Sequence, residues 1–164
     1  MIVRGNSRQD EGVDVAGDDA AGNDGLQERY HGFYEAQGLT VEEVGPGEVI
    51  LRLADVRDDQ RGGGGTAALN GGVIAYMFDG ALGAATASLA IHTYGIGDRE
   101  LPGFGEVTIN LTINYVRPAL GNYFEARGTA IRTGRTVAFA EGKLVDANNQ
   151  ICATASGAWR IFLP

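Results

Sequence analysis

The stretch that decides the fold runs from Leu69 to Ile91 and reads LNGGVIAYMFDGALGAATASLAI. It is rich in Ala, Leu, Ile and Met on every side and carries a single charged residue, Asp79. A helix without a polar face is one that other structure encloses. The segment approaches the ~18 uncharged apolar residues of a membrane crossing. Asp79, Asn70 and the glycines at 71, 72, 80 and 83 interrupt it, so it reads as a buried helix. Asn70 is placed to cap that helix, because its side chain can accept from amides one turn on. The glycines weaken a helix intrinsically, and they suit places where a neighbour must approach the backbone closely.

Downstream the hydrophobic period changes from 3.6 to 2. From Glu106 on, Val107, Ile109, Leu111, Ile113 and Tyr115 alternate with Thr108, Asn110, Thr112, Asn114 and Val116. That is the pattern of a strand, and Pro118 ends it. Three more strands are expected over residues 123–132, 136–146 and 150–162. The turns Thr133-Gly134-Arg135 and Ala147-Asn148-Asn149 separate them as in an antiparallel meander. Upstream, residues 41–44 and 48–53 read as a hairpin across Gly45-Pro46-Gly47, and residues 26–37 as a first helix that Gly38 stops. The fold class is therefore α+β, with one antiparallel sheet wrapped around a central apolar helix.

The whole chain has 164 residues, 44% of them apolar, which is material for one domain with a core. Residues 1–25 hold six acids and two arginines, a net of −4 out of −8 for the chain, and few large apolar groups. They read as a flexible acidic arm ahead of a domain spanning residues 26–164. So acidic a chain offers no basic surface to follow a nucleic-acid backbone. One cysteine, Cys152, excludes an intrachain disulfide and a cysteine-cluster metal site, and two histidines argue against a histidine-rich one. Arg4 and Arg8 have no apolar run behind them, so no secretory signal is read. The expectation is a soluble cytoplasmic protein with no metal, no nucleic acid and no membrane.

Three places could carry chemistry. Asp79 is a lone carboxylate in an apolar helix, which costs desolvation unless it has partners or faces a crevice. Asn70-Gly71-Gly72 presents backbone N–H groups at the positive end of the helix dipole, suited to a developing oxyanion. Nine residues separate Asn70 from Asp79, ~13 Å along a helix. If the two cooperate on one carbonyl, the helix start of one subunit must face Asp79 of another, and an obligate dimer follows. The third place is the basic turn Arg132-Thr133-Gly134-Arg135-Thr136, where arginines and amides could hold a phosphate or lie solvated on a tight hairpin. The glycines at 62–65 lack the Gly-Lys-Ser/Thr of a phosphate loop. His31 and His92 have no partner in sequence, and Cys152 reads as packing.

The motif Asn70-Gly71-Gly72 with Asp79, followed by Ile113-Asn114-Tyr115-Val116-Arg117-Pro118 and Gly134-Arg135-Thr136, resembles the hotdog-fold acyl-CoA thioesterases. The likeness is to their phenylacetic-acid-pathway, PaaI-like branch and covers roughly residues 26–162. It implies hydrolysis of an acyl-coenzyme A thioester, with Asp79 as general base or nucleophile and the Gly71 amide of the opposing subunit polarising the carbonyl. By the same resemblance Thr108 is a hydroxyl near the reacting centre. Tyr115 and the turn Arg132, Thr133, Gly134, Arg135, Thr136 and Val137 contact the coenzyme A portion. No cofactor is implied, and assembly is as a homodimer or dimer of dimers. The sequence departs from the family at two positions: its leading histidine is Asn70 here, and an upstream asparagine is Gly64. Binding of acyl-CoA without cleavage is the alternative those departures leave open. The pocket wall is expected from Tyr76, Met77, Phe78 and neighbouring strand residues.

Overall fold

In the computed structural model, residues 32, 34–62, 65–97 and 99–164 are described. The acidic arm, His31, Gly64 and most of the expected first helix lie outside the described residues, and residues 34–36 are helical. The chain continues as β1 (Leu39–Gly45), β2 (Glu48–Ala54), the central helix α1 (Gly71–Tyr94), β3 (Gly105–Tyr115), β4 (Tyr123–Thr133), β5 (Val137–Asp146) and β6 (Ile151–Phe162). All strand pairs are antiparallel, in the order β1-β2-β4-β5-β6-β3. Among the described residues the sheet edges are β1 and β3.

The expected hairpin is present: β1 pairs with β2 through a turn in which Gly47 takes a φ of 80°, a left-handed conformation open to glycine at little cost. The meander is present as well. What alternation along the chain does not encode is that β3 crosses over to pair with β6 rather than with β4.

The central helix contacts every strand. Met77, Phe78, Ala81, Leu82, Ala85 and Ala90 are fully buried, against Leu51, Phe124, Leu144 and Trp159 from the sheet. Its length and apolarity would suit a membrane span, yet two thirds of its most apolar window (67%) is buried inside the protein. Asn70 caps it as expected, accepting from the Gly72 amide at 2.7 Å. It runs to Tyr94, past the expected stop at Ile91, and ends at Gly95 with φ 63° and its N–H on the Ile91 carbonyl. The sheet lies so close that a Cβ on Gly128 would stand 2.6 Å from the Ala81 carbonyl oxygen.

Polar pins hold the sheet at two places. The buried Ser88 hydroxyl accepts from the Gly47 amide at 2.9 Å and donates to Glu43, which also meets His92 at 3.2 Å. His92, without a partner in sequence, thus has one in space, and the hairpin is fastened to the last turns of the helix. On the outer face, Glu125 accepts from Tyr123 (2.6 Å), Arg52 (2.9 Å) and Arg127 (2.8 Å). Burial acts to raise the Glu125 carboxyl, but these donors outweigh it and hold it at about 2, below its ordinary 4.5.

Two measurements test this packing. Gly128→Ala is expected to lower stability by about 1–3 kcal/mol in urea unfolding, since the clash is with backbone and not with a movable side chain. A carboxyl whose folded value is depressed contributes stability that is present above its unfolded value and lost as pH falls through the folded one. Stability should therefore decline from about pH 4.5 towards pH 2, and Glu125→Gln should flatten that part of the profile.

Candidate active site

Asp79 sits in the third turn of the helix, half-buried, on the side that faces the beginning of β3. Its Oδ1 accepts from the Thr108 hydroxyl at 2.7 Å. Strict alternation along β3 would put Thr108 on the face opposite Leu111 and Ile113. The structure breaks that alternation with a register shift between Thr108 and Asn110 in the pairing with β6. One extra residue in a strand re-aims the side chains before it. Leu111 and Ile113 pack on the core, and upstream of the bulge Thr108 and Glu106 also reach the helix. Thr108 meets Asp79, and Glu106 Oε2 accepts from the buried Thr86 hydroxyl at 3.0 Å.

Between this part of β3 and the helix lies a cavity of about 320 Å³, lined by Tyr34, Asp79, Gly80, Glu106, Val107, Thr108 and Trp159. The helix glycines let the lining side chains lie close against the backbone. A Cβ on Gly80 would fall 2.5 Å from the Tyr34 hydroxyl, and one on Gly83 would fall 3.1 Å from Glu106 Oε1 and 3.2 Å from Trp159 Nε1. From the sequence, Tyr76, Met77 and Phe78 are expected in the wall. Met77 and Phe78 are core residues with no exposure, because they point from the helix into the sheet. Tyr76 stacks edge-on against Tyr34 with ring centres 5.8 Å apart. Burial foremost, then the neighbouring Tyr76, Glu106 and Asp79, pushes the Tyr34 phenol far above its ordinary range. Burial and Asp79 push Tyr76 up to about 12. Both phenols are neutral donors at any physiological pH.

The start of the helix forms a separate locus. Asn70 uses its side-chain oxygen on the Gly72 amide, and the Gly71 amide has no acceptor among the described residues. Tyr115 closes over it: its hydroxyl donates to the Gly71 carbonyl at 2.8 Å, and a Cβ on Gly71 would touch its ring at 3.5 Å. The third locus, Arg132 to Val137, is at the far end of the helix. There the Arg135 guanidinium lies 5.9 Å from the centre of the Tyr94 ring, and the turn closes with Gly134 N–H on the Val137 carbonyl at 2.8 Å. Gly71 and Tyr94 are the two ends of a 24-residue helix, about 35 Å apart at ~1.5 Å per residue. Within one chain, then, Asp79 and Thr108 are brought together, while Gly71 and the basic turn are not brought to them. Tyr34, Glu106 and Trp159 also line the cavity, and no local sequence pattern marks them as site residues.

The family model of the thioesterase superfamily matches residues 67–153. The chain belongs to that superfamily. A candidate esterase of Halobacterium salinarum is 30% identical over 141 residues, covering 80% of this chain and 85% of that protein. Among solved structures, a thioesterase family protein from Silicibacter pomeroyi superposes with a TM-score of 0.70 at 20% identity, over 85% of this chain and 97% of that one. A variant of the phenylacetic acid degradation protein PaaI from Thermus thermophilus does so with a TM-score of 0.60 at 25% identity, over 78% of this chain and 96% of that one. The six-stranded antiparallel sheet around one long helix is the hotdog fold, and the PaaI-like resemblance of the sequence is upheld. Thioesterase-family chemistry makes this chain a hydrolase.

The cap gives a prediction independent of any activity. Asn70→Ala removes the acceptor for the Gly72 amide and should cost about 1 kcal/mol in chemical unfolding, whereas Asn70→Asp should keep the cap and the stability.

Proposed function

We propose that the protein hydrolyses an acyl-coenzyme A thioester to the free acid and the coenzyme A thiol, with Asp79 as the acting carboxylate. The observation that supports this reading most directly is the hydrogen bond from Thr108 to Asp79 on the cavity wall. An ionised carboxylate accepts on both oxygens. Thr108 fixes Oδ1, and Oδ2 is left to take a proton from an attacking water or to attack the thioester carbon itself. In the first route water adds to the carbonyl carbon as its proton passes to Asp79. The tetrahedral intermediate then expels the thiolate, which takes up that proton. In the second, Asp79 displaces the thiolate to form an anhydride that water opens.

Either route builds negative charge on the carbonyl oxygen, and amides at a helix N-terminus stabilise such charge. Gly71 is eight residues from Asp79 in the same helix, about 12 Å away along its axis, so the amide must come from a second copy. The edge strand β3 suits such a pairing. Among the described residues its outer edge pairs with no strand, and Val107, Ile109 and Tyr115 on it are 58%, 55% and 54% exposed, the kind of apolar edge that recruits another strand. The proposed assembly is a homodimer about this edge, or a dimer of such dimers, in the cytoplasm, without a resident cofactor. Tyr115 and the Arg132–Val137 turn would bind the coenzyme A portion, the arginines pairing with its phosphates.

A thiol-release assay over aromatic, short-chain and long-chain acyl-CoA substrates tests the reading. Asp79→Asn should reduce turnover about a hundredfold or more with the melting temperature unchanged, and Thr108→Val should lower kcat more than it raises KM. Undiminished turnover in Asp79→Asn rejects the assignment. Acyl-CoA binding with no thiol release would make the protein a binder. Sedimentation should give a dimer or tetramer, and a monomer with full activity would rule out the partner amide.

A further inference from the structure

The cavity carries a donor that the reaction itself does not use. Trp159 on β6 stands opposite Thr108 on β3, and its indole reaches the helix one turn past Asp79. Two glycines hold the ring in place. A Cβ on Gly157 would stand 2.7 Å from the far edge of the six-membered ring, and one on Gly83 would stand 3.2 Å from Nε1. The side chain is buried, with 1% exposure, yet its N–H donates to no acceptor among the described residues. Among those residues, no side-chain nitrogen sealed in the interior lacks a partner. The Trp159 nitrogen is therefore not sealed, and the space on which it opens is the cavity that the residue lines. A buried indole N–H usually finds an acceptor; here the acceptor has to come from a ligand.

We infer that Trp159 selects the acyl group: the cavity takes acyl chains that carry a hydrogen-bond acceptor, such as a carbonyl oxygen, at one position about one helical turn beyond the thioester carbonyl. This rests on the hydrolase reading above, since it is Asp79 that locates the thioester. Gly83 follows Asp79 by four residues, roughly 6 Å along the helix, and Nε1 lies beside Gly83. The indole nitrogen is a donor only, so an acceptor is the one kind of group that satisfies it. A plain hydrocarbon chain seated there would shut the N–H off from solvent and return no bond, which is costly. The ring is wedged against Gly83 and Gly157 in a close-packed core and cannot follow an acceptor displaced along the chain. The preference is therefore for a position as well as for a group.

The test uses coenzyme A thioesters of straight-chain acids of one length. In each member a single methylene is replaced by a ketone carbonyl, moved outward along the chain from one member to the next, and the all-methylene chain is the reference. The first readout is thiol release by the wild type. The second is the proton–nitrogen NMR signal of the indole N–H, a single peak because Trp159 is the sole tryptophan of the sequence. It is recorded on the full chain carrying Asp79→Asn, to spare the thioester. One ketone position should exceed the reference by about three- to tenfold in kcat/KM, the range of a neutral hydrogen bond, and the same member should move the indole proton furthest downfield. Trp159→Phe keeps an aromatic ring without the N–H and should handle the whole series like the reference; should that variant not fold, the NMR series decides. A preference that survives in Trp159→Phe belongs to another group and overturns the inference. A series that is flat in both readouts, with thiol released throughout, overturns the selectivity and leaves hydrolysis standing. A position-dependent indole shift without thiol release from the wild type upholds the subsite and sinks the hydrolysis. No response from any member in either readout overturns both.

Discussion

An apolar helix that shows no polar face has to be covered on most sides, and that requirement organises this protein. Six strands curve around Gly71–Tyr94, and the covering works only because the strands come down onto helix backbone where a side chain would stop them. Gly128 against the Ala81 carbonyl is the tightest such point. The polar pins are placed at the margins of this packing. Ser88, Glu43 and Gly47 tie the first hairpin to the helix, and Glu125 gathers Arg52, Arg127 and Tyr123 on the outer face. Asp79 is the one charge on the enclosed helix, and it stands where the cover gives way to a cavity.

Much of the fold was legible because it is written in local patterns. The helix announces itself by composition, its start by Asn70, and the strands of the meander by alternation and turn residues. The crossover that pairs β3 with β6 is a different matter. It depends on which neighbour best covers the helix once all strands exist, and no residue between Tyr115 and Tyr123 encodes that choice on its own.

The site was legible in half. Asp79 stood out as a charge with no reason to be in a core. Its environment did not stand out, because a bulge in β3 reverses the facing of the residues before it. Read with strict alternation, Glu106 and Thr108 belong to the face away from the helix; with the extra residue they meet Thr86 and Asp79. Tyr34 and Trp159 come from opposite ends of the chain, and nothing short of the tertiary structure brings them together. The glycines of the helix are places of close approach, as their composition suggests, and what approaches is side chains: Tyr34 and Leu51 at Gly80, Glu106 and Trp159 at Gly83.

The cavity is walled by side chains seated directly on the helix: Tyr34, Glu106 and Trp159 come so close only because Gly80 and Gly83 carry no side chain of their own. A pocket of that construction has rigid walls, because helix and sheet must both keep their places for the core to stay packed. Such a pocket can be re-tuned for a new ligand through the strand residues opposite, one at a time, while the helix side is shared with the core and tolerates little change. Descendants of this sequence that acquire other ligands should differ first around positions 106–108.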